Sequence, residues 1–456
     1  MSGPGPQAGP DAAGDTLAVP QAVSRAQAFA FWLKLGFISF GGPAGQIALM
    51  HEELVQRRRW ISDRRFLHAL NYCMVLPGPE AQQLATYIGW LMHRTWGGIV
   101  AGGLFVLPSL FILIALSWVY LALGDVPAVA GVFYGIKPAV TALVVHAAWR
   151  LGSRVLGNAV LWFVALASFL ALAVLQLPFP LIVLAAGVVG LVGGRVAPQR
   201  FTAGHAPVRG GQATGPALID DHTPTPEHAR FQWPRFWRVM AVCLLLWGAA
   251  LGTLTALLGW QAVLTQMGWF FTQAALLTFG GAYAVLPFVV QGAVEQHQWL
   301  SATQMIDGLA LGETTPGPLI MVVAFVGFVG GWTHAVLGSD ALLLSGAVAA
   351  VVATFFTFLP SFFFILLGAP FIESTHGRLG FTAPLTAISA AVVGVIASLA
   401  VFFAQHVFWP QGLQGAFEWP AAVIGLAAGV ALWRYKLGVV TVLLGAGLAG
   451  LVWRLA

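Results

Sequence analysis

The chain has 456 residues, 59% hydrophobic and only 8% charged, with a mean hydropathy of +0.84, where a soluble domain carries roughly a quarter charged residues. Its 21 Lys and Arg and 16 Asp and Glu cannot coat a water-soluble globule of this size, whereas lipid needs no such coat, so the composition is that of a polytopic membrane protein. Cys73 and Cys243 lack ligand spacing, which excludes a disulfide framework, an iron–sulfur site and dithiol chemistry. The basic pI of about 9.6 arises from residues in short loops between apolar runs, and so reports orientation in a bilayer rather than nucleic-acid binding.

Residues 1–27 are rich in Pro, Gly and Ala and lack the basic start and apolar core of a signal peptide, so they are expected to form a disordered cytoplasmic tail. Residues 28–194 are expected to form a first membrane repeat, with its clearest spans near 97–122, 132–149, 158–175 and 181–194. Residues 195–238 carry six Arg, three acids and three His and read as a cytoplasmic linker. A connecting transmembrane helix is expected over 239–261. A second repeat follows over 262–456, with spans near 341–366, 384–404, 419–433 and 437–453.

The repeat is visible as a shift of 239 residues. It places Phe40, Gly41 and Gly42 on Phe279, Gly280 and Gly281, Trp60 on Trp299, Ser62 on Ser301, and Pro77, Gly78 and Pro79 on Pro316, Gly317 and Pro318. A shift of 252 later pairs Pro108 and Ser109 with Pro360 and Ser361. The loop after the first double glycine carries Arg57, Arg58, Arg59, Arg64 and Arg65, while its counterpart over 290–304 has no Lys or Arg. Equivalent loops with opposite charge prefer opposite sides of the membrane, so the repeats are expected to be inverted. The basic loop, with Arg94, Arg150, Arg154, Arg195, Arg378, Arg434 and Lys436, is expected inside. That requires segments 28–50 and 66–93, interrupted at Gly41, Gly42, Pro43 and at Pro77, Gly78, Pro79, to be broken or re-entrant helices. The fold class is therefore all-α.

A helix stopped within the membrane leaves backbone N–H and C=O groups that only protein, water or a ligand can satisfy, and a half-helix starting at the break aims its positive dipole end there. Glycine lets an oxyanion approach the backbone, so the implied ligand is an anion. Kinking or close packing would explain one isolated motif; four breaks related by one repeat favour a site. Lys137, in the apolar run GIKPAVTALVV, is the candidate fixed positive charge, with snorkelling to the interface as the bland alternative. Glu80, directly after the first PGP, and Glu313, three residues before the second, are candidate proton carriers, or else helix caps or loop acids. Gln46, Gln82, Gln83, Thr86, Tyr283, Thr314 and Thr315 offer neutral donors beside the breaks. No metal-ligand, Walker or nucleophile-elbow motif is present, so no catalytic residue, metal or cofactor is expected, and energy must come from ion gradients.

The segments GFISFGGPAGQIALMHEELVQRRRWIS, LPGPEAQQLATYIG, LLTFGGAYAVLPFV and TTPGPLIMVVAFVGF resemble the chromate ion transporter family in its long, two-domain form, across both halves of the chain. The resemblance implies chromate efflux from the bacterial cytoplasm across the inner membrane, conferring chromate resistance, with sulfate as isosteric competitor and general oxyanion transport as the alternative. The family's motif residues are expected to contact substrate, Phe40, Gly41, Gly42, Pro43, Gln46, Pro77, Gly78 and Pro79 in the first copy and Phe279, Gly280, Gly281, Pro316, Gly317 and Pro318 in the second, and the reading of the breaks adds Thr315 as a neutral donor and Lys137 as the fixed charge. The second copy departs from the motif in having Ala282 where the first has Pro43. The expected partners are chromate, the bilayer and, where the chain self-associates, a homodimer; none is a nucleic acid.

Overall fold

The computed structural model describes residues 21–124, 126–201, 216–221, 223–224, 226–375 and 382–455. Residues 1–20 of the expected tail, 202–215 of the expected linker, and Arg378 lie outside the described residues. Those described are overwhelmingly helical, and six of the helices are long and apolar enough to cross a membrane.

Local chemistry sets the first elements. Ser24 and Gln27 form a capping box that starts α1 (Arg25–Ile38) inside the expected tail. The chain breaks at Ser39–Gly41 and resumes as α2 (Gly42–His51), with Pro43 in its first turn. A six-residue π-helical turn, Glu52–Arg57, follows; Arg59 then takes a left-handed φ of 51°, and Ser62 caps α3 (Asp63–Cys73). After the PGP loop, α4 (Glu80–Leu123) is interrupted at His93 and Arg94, whose backbone leaves the helical region. The sequence places its first clear span at 97, just beyond this interruption. Helices α5 (Pro127–Val155), α6 (Ala159–Ala173) and α7 (Phe179–Val196) complete the set.

The same series recurs after α8 (Trp233–Leu258): α9 (Val263–Leu277), α10 (Ala282–Val290), a π-helical turn Gln291–Gln296, α11 (Ala302–Thr314), α12 (Val322–Thr333), α13 (Leu342–Thr375), α14 (Thr382–Phe408), α15 (Trp419–Trp433) and α16 (Val439–Leu455). Even the irregularities recur. Two residues after the second π turn Gln298 has a φ of 51°, the tryptophan after each turn is buried, and Ser301 caps α11 as Ser62 caps α3. Helix α8 begins six residues earlier than the sequence suggests, because Pro234 suits a first helical turn.

The two series interlock. Helices α6 and α7 pack on α14 of the second series, whereas α15 and α16 pack on α5 of the first, and α5 meets α14. Such reciprocity is what an approximate two-fold relation produces. The helices approach closely through small residues. An added Cβ on Gly135 of α5 would lie 1.9 Å from the Ala446 carbonyl oxygen of α16, and one on Gly190 of α7 would lie 2.7 Å from the Ala387 Cβ of α14. Apolar side chains such as Leu244, Leu245 and Leu257 on α8 face outward, as lipid-facing positions require.

The basic loop is tied to the linker. Ile61 pairs with Ile219 in an isolated bridge, the Arg65 guanidinium donates to the Thr223 carbonyl at 2.7 Å, and the Ser62 hydroxyl donates to Asp221 at 2.6 Å. Further along, His228 Nε2 lies 3.1 Å from the Trp90 carbonyl oxygen, beside the interruption of α4. Loop and linker therefore share one side of the molecule.

Candidate functional site

The breaks meet where the two series cross. Gly78, in the first PGP loop, donates its N–H to the carbonyl of Thr278 at 2.8 Å, and Gly317, in the second, donates to the carbonyl of Ser39, also at 2.8 Å. Ser39 and Thr278 are the residues before the two FGG motifs, so each PGP loop closes on the opposite series' break. Both side chains fold back on their own helix, Ser39 to the Leu35 carbonyl and Thr278 to the Ala274 carbonyl, each at 2.6 Å. Ser39 and Thr278 end α1 and α9, so their own backbone carbonyls have no N–H partner further along the helix and accept across the junction.

Glycine is required in both loops. Gly78 and Gly317 have φ of 124° and 106°, a region that L side chains rarely occupy. A Cβ on Gly78 would stand 2.5 Å from Ser361 Oγ, and one on Gly317 would stand 2.8 Å from Ser109 Cβ. Ser109 and Ser361 are the paired residues of the later repeat match. Each PGP loop is thus held between the other series' FGG break and the other series' long helix.

Around this junction lies a buried polar cluster. The Gln46 amide donates to the carbonyls of Ser39 at 3.3 Å and Gly317 at 2.5 Å; Gln83 donates to Pro77 at 2.7 Å, and Gln82 to the Thr86 hydroxyl at 3.0 Å. Gln46 Oε1, Gln82 Oε1, Gln83 Oε1 and Ser361 Oγ remain buried without a protein hydrogen-bond partner. Burying unused polar capacity is costly, and a Gln side chain can present either end of its amide to a polar ligand. The N-termini of α4 and of the Leu319–Met321 turn that leads into α12 start at Pro79 and Pro318, immediately beside it.

The two copies are not equivalent. Position by position, Gly41 and Gly280 are both exposed and Gly78, Pro79, Gly317 and Pro318 are all buried, but Phe40 is exposed and Pro43 and Pro77 are half-buried where Phe279 is half-buried and Ala282 and Pro316 are buried; Thr315 is buried as well. With Ala282 in place of Pro43, α10 starts one position later than α2 relative to the repeat, at Ala282, after Gly281 makes the turn with a φ of 97°. Glu313 accepts a hydrogen bond from the Tyr283 hydroxyl, which links the PGP and FGG breaks within the second copy. Glu80 is half-buried at the start of α4.

Lys137 stands apart from the glycine loops. Its Nζ is 3.4 Å from Asp307 Oδ2, to which the Tyr120 hydroxyl donates at 2.8 Å. Asp307 lies eight residues before Thr315 on α11, about 12 Å along a helix axis. Sequence reasoning missed Asp307 and Tyr120; the signal was an acid within the apolar run QMIDGLALGE. His146 packs edge-on against Trp433, with ring centroids 5.3 Å apart. Among the described residues, no group of three or more His, Cys, Asp or Glu is placed to hold a metal ion.

Comparison with known proteins gives a consistent picture. The family model described as chromate transporter matches residues 26–191 and 265–451, which bracket the two helix series. The chain is 33% identical over 443 residues to the chromate transport protein of Pseudomonas aeruginosa, covering 95% of this chain and 94% of that protein. It is 31% identical over 444 residues to the chromate transport protein of Cupriavidus metallidurans, covering 97% and 96%. It is 28% identical over 439 residues to the probable chromate transport protein of Synechococcus elongatus, covering 96% and 97%. No solved structure matches it.

Proposed function

Because the chain belongs to the chromate transporter family, a family of multi-pass membrane proteins, we propose that it exports the chromate dianion from the bacterial cytoplasm by secondary transport across the inner membrane and so confers chromate resistance. The observation that carries this reading is the reciprocal junction of Gly78 with Thr278 and Gly317 with Ser39, bordered by buried amides with unused hydrogen-bonding capacity. Phe40, Gly41, Gly42, Pro43, Gln46, Pro77, Gly78 and Pro79 of one series, and Phe279, Gly280, Gly281, Thr315, Pro316, Gly317 and Pro318 of the other, form the substrate path. Backbone N–H groups at the helix starts supply the anion's partners.

The membrane organisation follows from this reading. Residues 28–194 and 262–456 are the two repeats, inverted with respect to each other, with the linker 195–238 on the cytoplasmic side and the helix of 239–261 supplying the odd crossing between them. Alternating access then exchanges which end of the crossed loops is open. A negative-inside potential drives a dianion outward with about 2.3 kcal/mol per charge per 100 mV, so about 4.6 kcal/mol in all.

The test is efflux of labelled chromate from inside-negative vesicles carrying the protein, with and without excess sulfate and with the potential collapsed. Potential-dependent chromate flux inhibited by sulfate supports the reading. Sulfate flux without chromate flux moves the assignment to general oxyanion transport, and flux of neither ion refutes both.

A further inference from the structure

The ion pair between the two helix series is not part of the glycine junction just described. Lys137 comes from α5, Tyr120 from α4 and Asp307 from α11, so the cluster joins the first series to the second. The Asp307 side chain is 2% exposed and that of Lys137 25%. Asp307 Oδ2 receives both the Tyr120 hydroxyl and the Lys137 ammonium, while Oδ1 is buried without a partner. The equivalent position of the first series is His68, so the acid belongs to one copy only.

We propose that Asp307 is a proton-binding site coupled to anion movement: it holds Lys137 until an oxyanion dianion pairs with the Lys137 ammonium, and it then takes up one proton from water. This rests on the reading of the chain as an oxyanion transporter. The reasoning is a count of charge. One ammonium at membrane depth cannot balance a carboxylate and a dianion together, and three negative charges against one positive in a low-dielectric interior is the arrangement such sites avoid. The proton neutralises the carboxylate, and the unpartnered Oδ1 is an open position for it. The other titratable groups described on the helices packed against α11 are engaged elsewhere or further along: on α5, Tyr134 donates to Glu418 at 3.0 Å, His146 packs against Trp433, and Arg150 and Arg154 follow Lys137 by 13 and 17 residues; on α4, Glu80, His93 and Arg94 lie at least 26 residues before Tyr120; on α11 itself, Glu313 accepts from Tyr283. Helix α12, packed against α11, carries no titratable residue. The titratable residue of α14 is His406, bonded to its own helix at Phe402, and that of α16 is Arg454, which lies over the Tyr134 ring. Dianion and proton moving together transfer one net negative charge, which a negative-inside potential still drives outward.

The experiment measures protons taken up when chromate is added to the purified full-length protein in weakly buffered detergent solution at pH 8, where free chromate is the dianion. The wild type is expected to take up about one proton per bound anion. Asp307→Asn is expected to take up none, while Glu295→Gln and Asp340→Asn, at exposed carboxylates outside the junction, retain the uptake. Proton uptake that persists in Asp307→Asn overturns the proposal, as does chromate binding to the wild type without uptake. Should Asp307→Asn fail to purify as a monodisperse protein, Tyr120→Phe decides. It removes one hydrogen bond to the carboxylate, and the pH at which uptake is half-maximal should shift; an unchanged midpoint overturns the assignment. A Lys137→Met, Asp307→Leu double variant with wild-type uptake would show the pair to be mere mutual neutralisation and also overturn it. Absence of any chromate binding by the wild type refutes the substrate reading instead, a result distinct from binding without a proton.

Discussion

Gly78 and Thr278 sit 200 positions apart in sequence and share a 2.8 Å hydrogen bond that has a twin between Gly317 and Ser39. A pair of contacts that maps onto itself when the two halves are exchanged is the structural sign of a repeat closing on its partner. It also places both PGP loops where any rearrangement of one half against the other must break or remake them.

Gly78→Ala and Gly317→Ala should therefore each reduce chromate flux at least tenfold. The left-handed backbone alone costs about 1–2 kcal/mol, and the new methyl of Gly78→Ala meets Ser361 Oγ at 2.5 Å. Gly42→Ala, with a φ of 68° but nothing within 4 Å of its added Cβ, should lose less. Flux assays on protein matched for membrane abundance check the order.

Removing the Lys137 ammonium strands the buried Asp307 carboxylate. Truncating one partner of a buried pair costs about 3–5 kcal/mol, so Lys137→Ala should fall in both thermal stability and flux, and Lys137→Arg should recover more than half of the lost stability. A Lys137→Ala variant with wild-type melting and transport would show that the pair contributes to neither.

Inverted repeats require equivalent positions to face opposite solutions. Gln56 and Glu295 are related by the 239-residue shift and both are exposed, whereas Cys73 and Cys243 are buried. Single cysteines at 56 and 295 should react with an impermeant thiol reagent from opposite sides, position 56 from the cytoplasm. Labelling of both from one side would refute the inversion.

The linker contact beside α4 should respond to pH. Burial, with the Arg235 and Arg94 charges, holds His228 below its ordinary value. A histidine lowered in this way favours docking while neutral, so the stabilisation is full above its unfolded value of about 6.5 and is lost as pH falls through the lower folded value. Proteolysis within residues 216–230 should be slow and constant from pH 8 to 7 and accelerate on acidification below about 6. His228→Gln should flatten that response.

Much of this architecture is legible in the residues themselves because it is dictated locally. Apolar runs the length of a bilayer, proline and glycine breaks, and serine caps act over one or two helical turns. The spans near 419–433 and 132–149 therefore fall on α15 and α5, and the shift of 239 residues maps one π turn and the left-handed residue after it onto the other pair. The interruption of α4 at His93 and Arg94 carries no proline or glycine of its own, and only the charge of Arg94 between segment 66–93 and the span from 97 marked it in the sequence.

What the tertiary structure alone decided is which distant groups meet. No periodicity pairs Gly78 with Thr278 rather than with its own FGG break, because the partner is chosen by the packing of α4 against α13 and of α5 against α14. Lys137 was visible as a costly charge in an apolar run, but its partner lies 170 residues away on α11. A buried charge announces in sequence that something must neutralise it; only the fold, by bringing α5 and α11 side by side, determines that Asp307 does so.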